Sequence, residues 1–346
     1  MEYTQLGRSG LRVSRLILGT MNIGWTTSAD DGKAMLDRAL EHGINVVDTA
    51  NMYGHSSGPG FTESVIGEWF AQGGERRERT VLATKLYNPM VPFGQPEPWP
   101  NQSRLSALNI RRACEASLTR LQTDYIDLYQ MHHIDRTTPW EEIWEAFSVL
   151  RQEGKVLYFG SSNFAGWHIA QAQAAAKELG MLGLVSEQSM FSLLRRTVEL
   201  EVLPSAIAHG IGVIPWSPLT GGLLAGVLRK EKEGRSAGPM TAAGIAQYGE
   251  AIAAYETFCD EIGLDPADVA LAWLLAQPGV TAPIIGPRTV AQLDASLGAL
   301  DITLDDAALT RLDEIFPGPG GPPSQGSAFE APGTRRKHTA PEAYAW

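Results

Sequence analysis

A chain of 346 residues with 44% hydrophobic content has material for a sizeable core, which excludes a mini-protein, wholesale disorder and a collagen-like repeat. Its 39 acidic and 28 basic side chains leave a net charge of −11, which argues against a broad nucleic-acid surface, because such a chain repels phosphate unless its basic residues are concentrated. Two cysteines, Cys114 and Cys259, are too few for a disulfide framework, no segment reaches the roughly 18 continuous apolar residues that cross a bilayer, and Met1-Glu2-Tyr3-Thr4 does not open a signal peptide; the expectation is a soluble cytoplasmic protein.

In chain order, short apolar runs alternate with stretches whose apolar residues recur three and four apart. A hairpin opens the chain over Tyr3 to Leu6 and Leu11 to Val13, turning at Arg8-Ser9-Gly10. Strand Leu16 to Leu18 precedes helix Asp31 to His42, Asn45 to Asp48 precedes Thr62 to Phe70, and Val81 to Thr84 precedes Leu105 to Arg120. Then come Tyr125 to Gln130 with Pro139 to Glu153, Leu157 to Gly160 with Trp167 to Leu179, and Leu184 to Glu187 with Val198 to His209. The last two units are Gly212 to Pro215 with Pro266 to Leu275, and Ala282 to Ile285 with Val290 to Leu297; an extra helix spans Ala251 to Ile262. Thr138-Pro139-Trp140-Glu141 reads as a capping box with proline in the first turn, and Asp265-Pro266 repeats the cap-then-proline pattern.

Eight successive strand-then-helix units are what a closed parallel barrel requires, because every parallel connection needs a crossover. Periodicity does not register closure, so an open doubly wound sheet meets the same pattern. The expected architecture is α/β, a (β/α)8 TIM barrel with an N-terminal β-hairpin and long loops at the C-terminal face. It occupies residues 1–316, followed by a Pro/Gly-rich tail over 317–346 carrying Arg335-Arg336-Lys337. That tail is either a loosely ordered terminus or a segment folded back over the site. Asn88 to Ser103, rich in proline, is too long for a simple turn and reads as an elaborated loop over the strand ends.

Barrel enzymes carry their chemistry on the loops after the strands. Those positions here hold Asp48, Tyr53, Lys85, His132, His133, Ser162, Asn163, Gln188, Trp216 and Arg288. Reducing a carbonyl requires a proton for an oxygen that becomes alkoxide-like, and a phenol is a reluctant donor and acceptor. A neighbouring ammonium stabilises the phenolate, and a carboxylate fixes that ammonium in place. Tyr53, Lys85 and Asp48 supply these three groups, and His132 can orient the substrate oxygen or help to shuttle the proton. His132, His133 and Asp135 are metal-ligand types, but adjacent strand side chains point to opposite faces, so no metal is expected.

At these residues the chain resembles an aldo-keto reductase. The matching stretches are Leu18-Gly19-Thr20-Met21, Asp48-Thr49-Ala50 through Tyr53-Gly54, Ala83-Thr84-Lys85, Asp127-Leu128-Tyr129-Gln130-Met131-His132, Gly160-Ser161-Ser162-Asn163-Phe164, Trp216-Ser217-Pro218-Leu219 and Ile285-Gly286-Pro287-Arg288-Thr289. They occur in order along the chain. The resemblance implies NADPH laid across the barrel mouth, hydride transfer to a small-molecule aldehyde or ketone, and Tyr53 as general acid supported by Asp48, Lys85 and His132.

It further implies that Ser162, Asn163 and Gln188 hold the carboxamide and that Trp216 stacks on nicotinamide. Gly19, Thr20, Met21, Ser217, Pro218, Leu219 and Gly221 complete the cradle, with the backbone near Gly221-Gly222 passing close to the pyrophosphate. Gly286, Arg288, Thr289 and Gln292 take the adenosine phosphate end at a helix start, and Arg288 suits the extra phosphate of NADPH. Ser296 stands where many relatives carry asparagine, which puts part of the adenine contact in doubt. No G-x-G-x-x-G follows a strand, so nothing supports a Rossmann mode of binding.

Trp25, Tyr87 and His133 are candidates for the substrate wall; packing explains Trp25 and Tyr87 equally well, and for His133 packing beneath the loop is the favoured alternative. The run from His132-His133-Ile134-Asp135 through Ser161 to Trp167 resembles members that reduce nucleotide-linked keto-deoxysugars. Two other readings fit the same barrel: a cofactor-binding sensor of the ion-channel β-subunit type, against which the complete tetrad and the lack of a long N-terminal extension argue, and a non-redox barrel enzyme acting through Asp48 and His132. No nucleic-acid or membrane partner is expected, and nothing in the pattern sets an oligomeric state.

Overall fold

The computed structural model describes residues 1–92, 95–96, 99–232 and 238–319. Strands β1 (Tyr3–Gln5) and β2 (Arg12–Ser14) form the opening hairpin, antiparallel with Thr4 opposite Val13. Eight parallel strands follow: β3 (Ile17–Gly19), β4 (Val46–Asp48), β5 (Val81–Leu86), β6 (Ile126–Met131), β7 (Val156–Ser162), β8 (Leu184–Gln188), β9 (Gly212–Val213) and β10 (Ile284–Ile285). Their order in the sheet is β10-β3-β4-β5-β6-β7-β8-β9. The ends meet, because Val213 N donates to Gly279 O at 3.0 Å, Thr281 N to Val213 O at 2.8 Å, and Ile284 N to Pro215 O at 2.8 Å. The sheet is a (β/α)8 barrel.

At this seam the strands are shorter than the sequence suggests. Pro215 and Pro283 stand where a ladder donor is needed, and proline has none, so Gly212 to Pro215 and Ala282 to Ile285 each keep only two residues of ladder.

Leu6 and Val13 of the hairpin join Ile17, Val46, Ala83, Leu128, Val185 and Ile214 in the cluster that fills the barrel. The hairpin therefore plugs the N-terminal end. Gly7 makes this possible: its φ is +56°, and a Cβ there would lie 2.5 Å from Gly210 O. A second, larger core packs helices against the outer sheet face around Trp144, Phe147 and Phe159, with Phe147 and Phe159 stacked at 4.5 Å.

Crossover helices α1 (Ala29–Glu41), α2 (Phe61–Phe70), α3 (Ala107–Leu121), α4 (Trp140–Gln152) and α5 (Gly166–Glu178) lie where the periodicity puts them, and α6 (Val202–His209) is shorter than expected. α6 starts at Val202 instead of Val198: Pro204 tolerates only the first turn, where no amide is needed, and Thr197–Glu199 forms a separate 3-10 turn. After β9 come α7 (Val227–Lys232), α8 (Pro239–Glu261) and α9 (Pro266–Leu275), then α10 (Val290–Ser296) and α11 (Asp306–Ile315) after β10. The extra helix thus begins at Pro239, not Ala251, while α7 and α11 are additional to the periodicity reading.

The expected capping box before α4 is not formed. Pro139 is the cap residue, and Thr138 Oγ1 donates to Asp135 Oδ2 at 2.8 Å instead, drawn to a buried carboxylate that also takes Thr137 N and Leu105 N. The cap before α9 does form, with Asp265 Oδ1 accepting from Ala267 N at 2.8 Å. No helix among the described residues is long and apolar enough to cross a membrane. Cys114 and Cys259 are free and buried, and burial pushes both thiols up to about 12. Pro317 to Pro319 are described; the remainder of the tail, including Arg335-Arg336-Lys337, lies outside the described residues, as does part of Asn88 to Ser103.

Candidate active site

The strand register builds the site. Ala83 pairs with Leu128 and Lys85 with Gln130, so each strand sends first an apolar and then, two residues on, a polar side chain into the barrel. Asp48, the last residue of β4, faces them. Lys85 Nζ donates to Asp48 Oδ2 at 2.6 Å, to Thr49 O at 2.8 Å and to the Tyr53 hydroxyl at 3.2 Å. Lys85 is fully buried and Asp48 is 3% exposed. The other Asp48 oxygen accepts from Gln130 Nε2 at 3.1 Å and Gln188 Nε2 at 2.8 Å.

Tyr53 arrives over Lys85 through a tight turn in which Tyr53 N donates to Ala50 O at 3.1 Å, and Thr62 N at the start of α2 holds its carbonyl. The ammonium lies 4.9 Å from the Tyr53 ring centroid. Burial pushes the phenol above its ordinary value; Lys85 pulls it down and Asp48 pushes it back up, so the net shift is upward. The lysine thus tempers the phenol without producing a phenolate at neutral pH. For Lys85, burial acts downward, but Asp48 and Tyr53 together outweigh it and the ammonium persists.

His132 sits just beyond β6, its ring 6.0 Å from that of Tyr53 and edge-on to it. Asn88 Nδ2 is 3.3 Å from His132 Nδ1; with the amide donating, Nδ1 accepts and the ring proton is on Nε2. Burial first, then Lys85 and His133, hold this imidazole well below its usual range, so it is neutral at pH 7. The alternation expected for His132 and His133 does not hold. β6 ends at Met131, the chain bends, and the two rings stack at 5.1 Å with 5° between their planes. His133 is exposed and meets the edge of Tyr87 at 5.3 Å. Among the described residues no group of three or more His, Cys, Asp or Glu could hold a metal.

Asn163 links three strand ends. Its φ is +60°, its Nδ2 donates to His132 O at 3.1 Å and Ser162 Oγ at 3.0 Å, and its Oδ1 accepts from Trp216 Nε1 at 3.1 Å. Ser162 Oγ donates to Gln188 O at 2.8 Å. Gln188 uses its amide hydrogens on Asp48 and Gln130 and keeps its Oε1 without a protein hydrogen bond among the described residues. Ser217, Thr220, Gly221 and Gly222 all have positive φ, which folds the chain after Trp216 into a concave turn; Pro218 is buried and Leu219 packs on the helix core.

On the other side of the mouth, Thr20 binds Asp48 O through both its amide and its hydroxyl, at 3.0 and 2.9 Å. Gly19 leaves room for Ile284, whose Cγ2 would be 2.7 Å from a Cβ, and Met21 is exposed at the rim. Trp25 is stacked on His55 at 4.5 Å and 43% exposed. Asn22 Nδ2 ties Gly286 O at 2.9 Å, and Arg288 is exposed with no ion pair among the described residues. Gln292 Oε1 accepts from Arg288 N at 2.8 Å, Thr289 Oγ1 caps α10 through Gln292 N at 3.2 Å, and Ser296 Oγ donates back to Gln292 O at 2.9 Å. Gln292 and Ser296 are thus engaged in shaping the loop itself.

Two participants escape the motif reading. Gln130 stands in a matching stretch without a role there, although its parity with Leu128 points it inward; Asn88 stands only at the start of a long loop. A buried carboxylate–ammonium pair under a phenol, with a neutral imidazole beside it, is an arrangement chemically able to deliver a proton.

Residues 15–316 match the model of the Aldo/keto reductase family. The chain belongs to this family. This aldo/keto reductase is 52% identical over 347 residues, the whole of both chains, to a protein named uncharacterized oxidoreductase YrpG of Bacillus subtilis (strain 168). It is 32% identical to versiconal hemiacetal acetate reductase of Aspergillus parasiticus and 30% identical to a probable voltage-gated potassium channel subunit beta of Arabidopsis thaliana, each over 91% of this chain and 97% of the relative. Carbonyl reduction in the general sense is therefore the chemistry of this aldo/keto reductase.

Proposed function

We propose that residues 1–316 form an NADPH-dependent reductase that delivers hydride to the carbonyl of an aldehyde, ketone or keto-sugar, with Tyr53 as the acid. What carries this reading is the Tyr53 hydroxyl 3.2 Å from a fully buried ammonium that is itself paired to Asp48 at 2.6 Å. NADPH, when bound, supplies the hydride. Gln188 Oε1 is an acceptor suited to the carboxamide NH2, Asn163 and Ser162 flank it, Trp216 offers a ring for stacking, and Arg288 an exposed guanidinium for the extra phosphate. Two free, buried thiols fit a cytoplasmic location.

In the reductive direction the Tyr53 proton passes to the nascent alkoxide while the Lys85 ammonium stabilises the phenolate left behind. His132 Nε2–H donates to the same oxygen and orients it. Because the phenol is raised above its reference value of about 10, its acid form is complete through neutral pH and is lost only as pH passes that raised value. Reduction measured between about pH 6 and 9 is therefore expected to be level, and alcohol oxidation, which needs the phenolate, to rise with pH. A bend in the reductive profile near pH 6.5 would show that a group other than Tyr53 supplies the proton, and one other than His132, which is held well below that range.

The test of the whole reading is a screen of aldehydes, ketones and keto-sugars by NADPH oxidation, beside a fluorescence titration of NADPH. Arg288→Ala is expected to weaken NADPH binding by about tenfold or more, the value of a lost charge-assisted contact, and NADH binding much less. Equal losses for both cofactors would remove Arg288 from the phosphate site. The similarity to a protein named as a channel subunit favours a second reading, a cofactor-binding subunit with little turnover; tight NADPH binding with no oxidation across the screen would select it.

A further inference from the structure

Glu187 is the group that the proton-delivery device leaves unexplained. It lies in β8 one residue before Gln188, is fully buried, and has no ion pair among the described residues. Side chains alternate along a strand, so with Gln188 reaching Asp48 inside the barrel, Glu187 points away from the interior. Its Oε2 accepts from the Ser161 hydroxyl; its Oε1 accepts from Ser189 Oγ at 2.6 Å and Phe164 N at 3.1 Å.

Each donor belongs to a segment that carries a proposed nicotinamide contact. Ser161 and Phe164 bracket Ser162 and Asn163, and Phe164 N leaves the residue that adopts φ +60°. Ser189 O accepts the Trp216 amide at 3.0 Å, and Trp216 Nε1 reaches Asn163 Oδ1 at 3.1 Å. One carboxylate thus clamps both arms of the cradle at the point where they join. A carboxyl group in such a place is unfavourable: burial pushes it up to about 7, against the pull of Ser161, Ser189 and the Phe164 and Asn163 amides.

We propose that Glu187 is a positioning residue for nicotinamide binding, acting through Asn163 and Trp216 without touching the cofactor. This rests on the NADPH reading above. Its test uses the full chain, with Glu187→Leu, which removes every acceptor at similar volume, and Glu187→Gln, which keeps one acceptor for Phe164 N and Ser189. NADPH affinity is read by fluorescence titration, kcat at saturating NADPH by oxidation with an active carbonyl, and global stability by thermal melting.

Glu187→Leu is expected to weaken NADPH binding by about tenfold or more, the value of one or two lost hydrogen bonds, with a much smaller change in kcat at saturation. Glu187→Gln is expected to restore most of the affinity. Affinity in the leucine variant within about twofold of the unmodified chain, or a melting-point loss unaccompanied by weaker binding, overturns the proposal. If the leucine variant does not fold, Ser189→Ala and Glu187→Gln decide it: a weakening in Ser189→Ala supports the clamp, and unchanged affinity in both overturns it. An unmodified chain that binds no NADPH overturns the cofactor reading itself and this inference with it, an outcome distinct from intact binding that no variant alters.

Discussion

Tyr53→Phe will lower kcat for carbonyl reduction by about 10²- to 10⁴-fold, the usual contribution of a positioned general acid, while NADPH binding changes little. The substitution removes one oxygen from a half-open position and leaves the ring over the Lys85 ammonium, 4.9 Å from its centroid in the intact site. The other possible acid is weak: His132 is held neutral by burial and by Lys85, so it donates a hydrogen bond but has no spare proton to give at pH 7. Steady-state kinetics at saturating NADPH beside a fluorescence titration separate the two effects. Retention of more than about a tenth of the wild-type kcat would mean that the proton comes from elsewhere, and the phenol would lose its assigned role.

Asp48→Asn will abolish most activity and also destabilise the protein, by about 3–5 kcal/mol, because it strips the counter-ion from a fully buried lysine. Lys85 then either remains charged in a barrel interior or gives up its proton, and both outcomes are costly. The asparagine nitrogen must also face either the ammonium or the amide hydrogens of Gln130 and Gln188, all of which now point at carboxylate oxygens. Pairing the change with Lys85→Met removes the orphaned charge, so the double variant is expected to recover much of the stability and none of the activity. Chemical denaturation of the two single variants and the double variant measures the coupling. Additive losses would show that the pair contributes no mutual stabilisation.

The barrel was legible because each strand is short, apolar and followed by a helical repeat, and because a parallel connection leaves few other topologies. The convergence of Asp48, Lys85 and His132 was legible for a related reason: all three stand at strand ends, which barrel geometry turns to one mouth. What escaped depends on information that sequence spacing does not hold. The stacking of His132 on His133 follows from β6 stopping at Met131, a ladder ending that periodicity reads only to within a residue or two. Thr138 and its neighbours fit the pattern of a helix cap, but Asp135, three residues back, competes for the hydroxyl and wins. α8 was read from its C-terminal half because Gly244 and Gly249 dilute the pattern of the first half. The net shift of Tyr53 depends on the burial of both Tyr53 and Lys85, which sequence spacing does not carry.

The proline-shortened seam between β9 and β10 has a further consequence. A closed barrel has no edge strand, and that protection depends on its weakest ladder. Local opening requires little free energy where few backbone bonds must break, as at the join closed by Val213, Thr281 and Ile284. Such an opening would uncover two short apolar edges, around Ile211 to Ile214 and around Ile284-Ile285, complementary to each other and equally complementary to those of a neighbouring molecule. The join that completes the fold is therefore also where partly opened molecules would first adhere to one another.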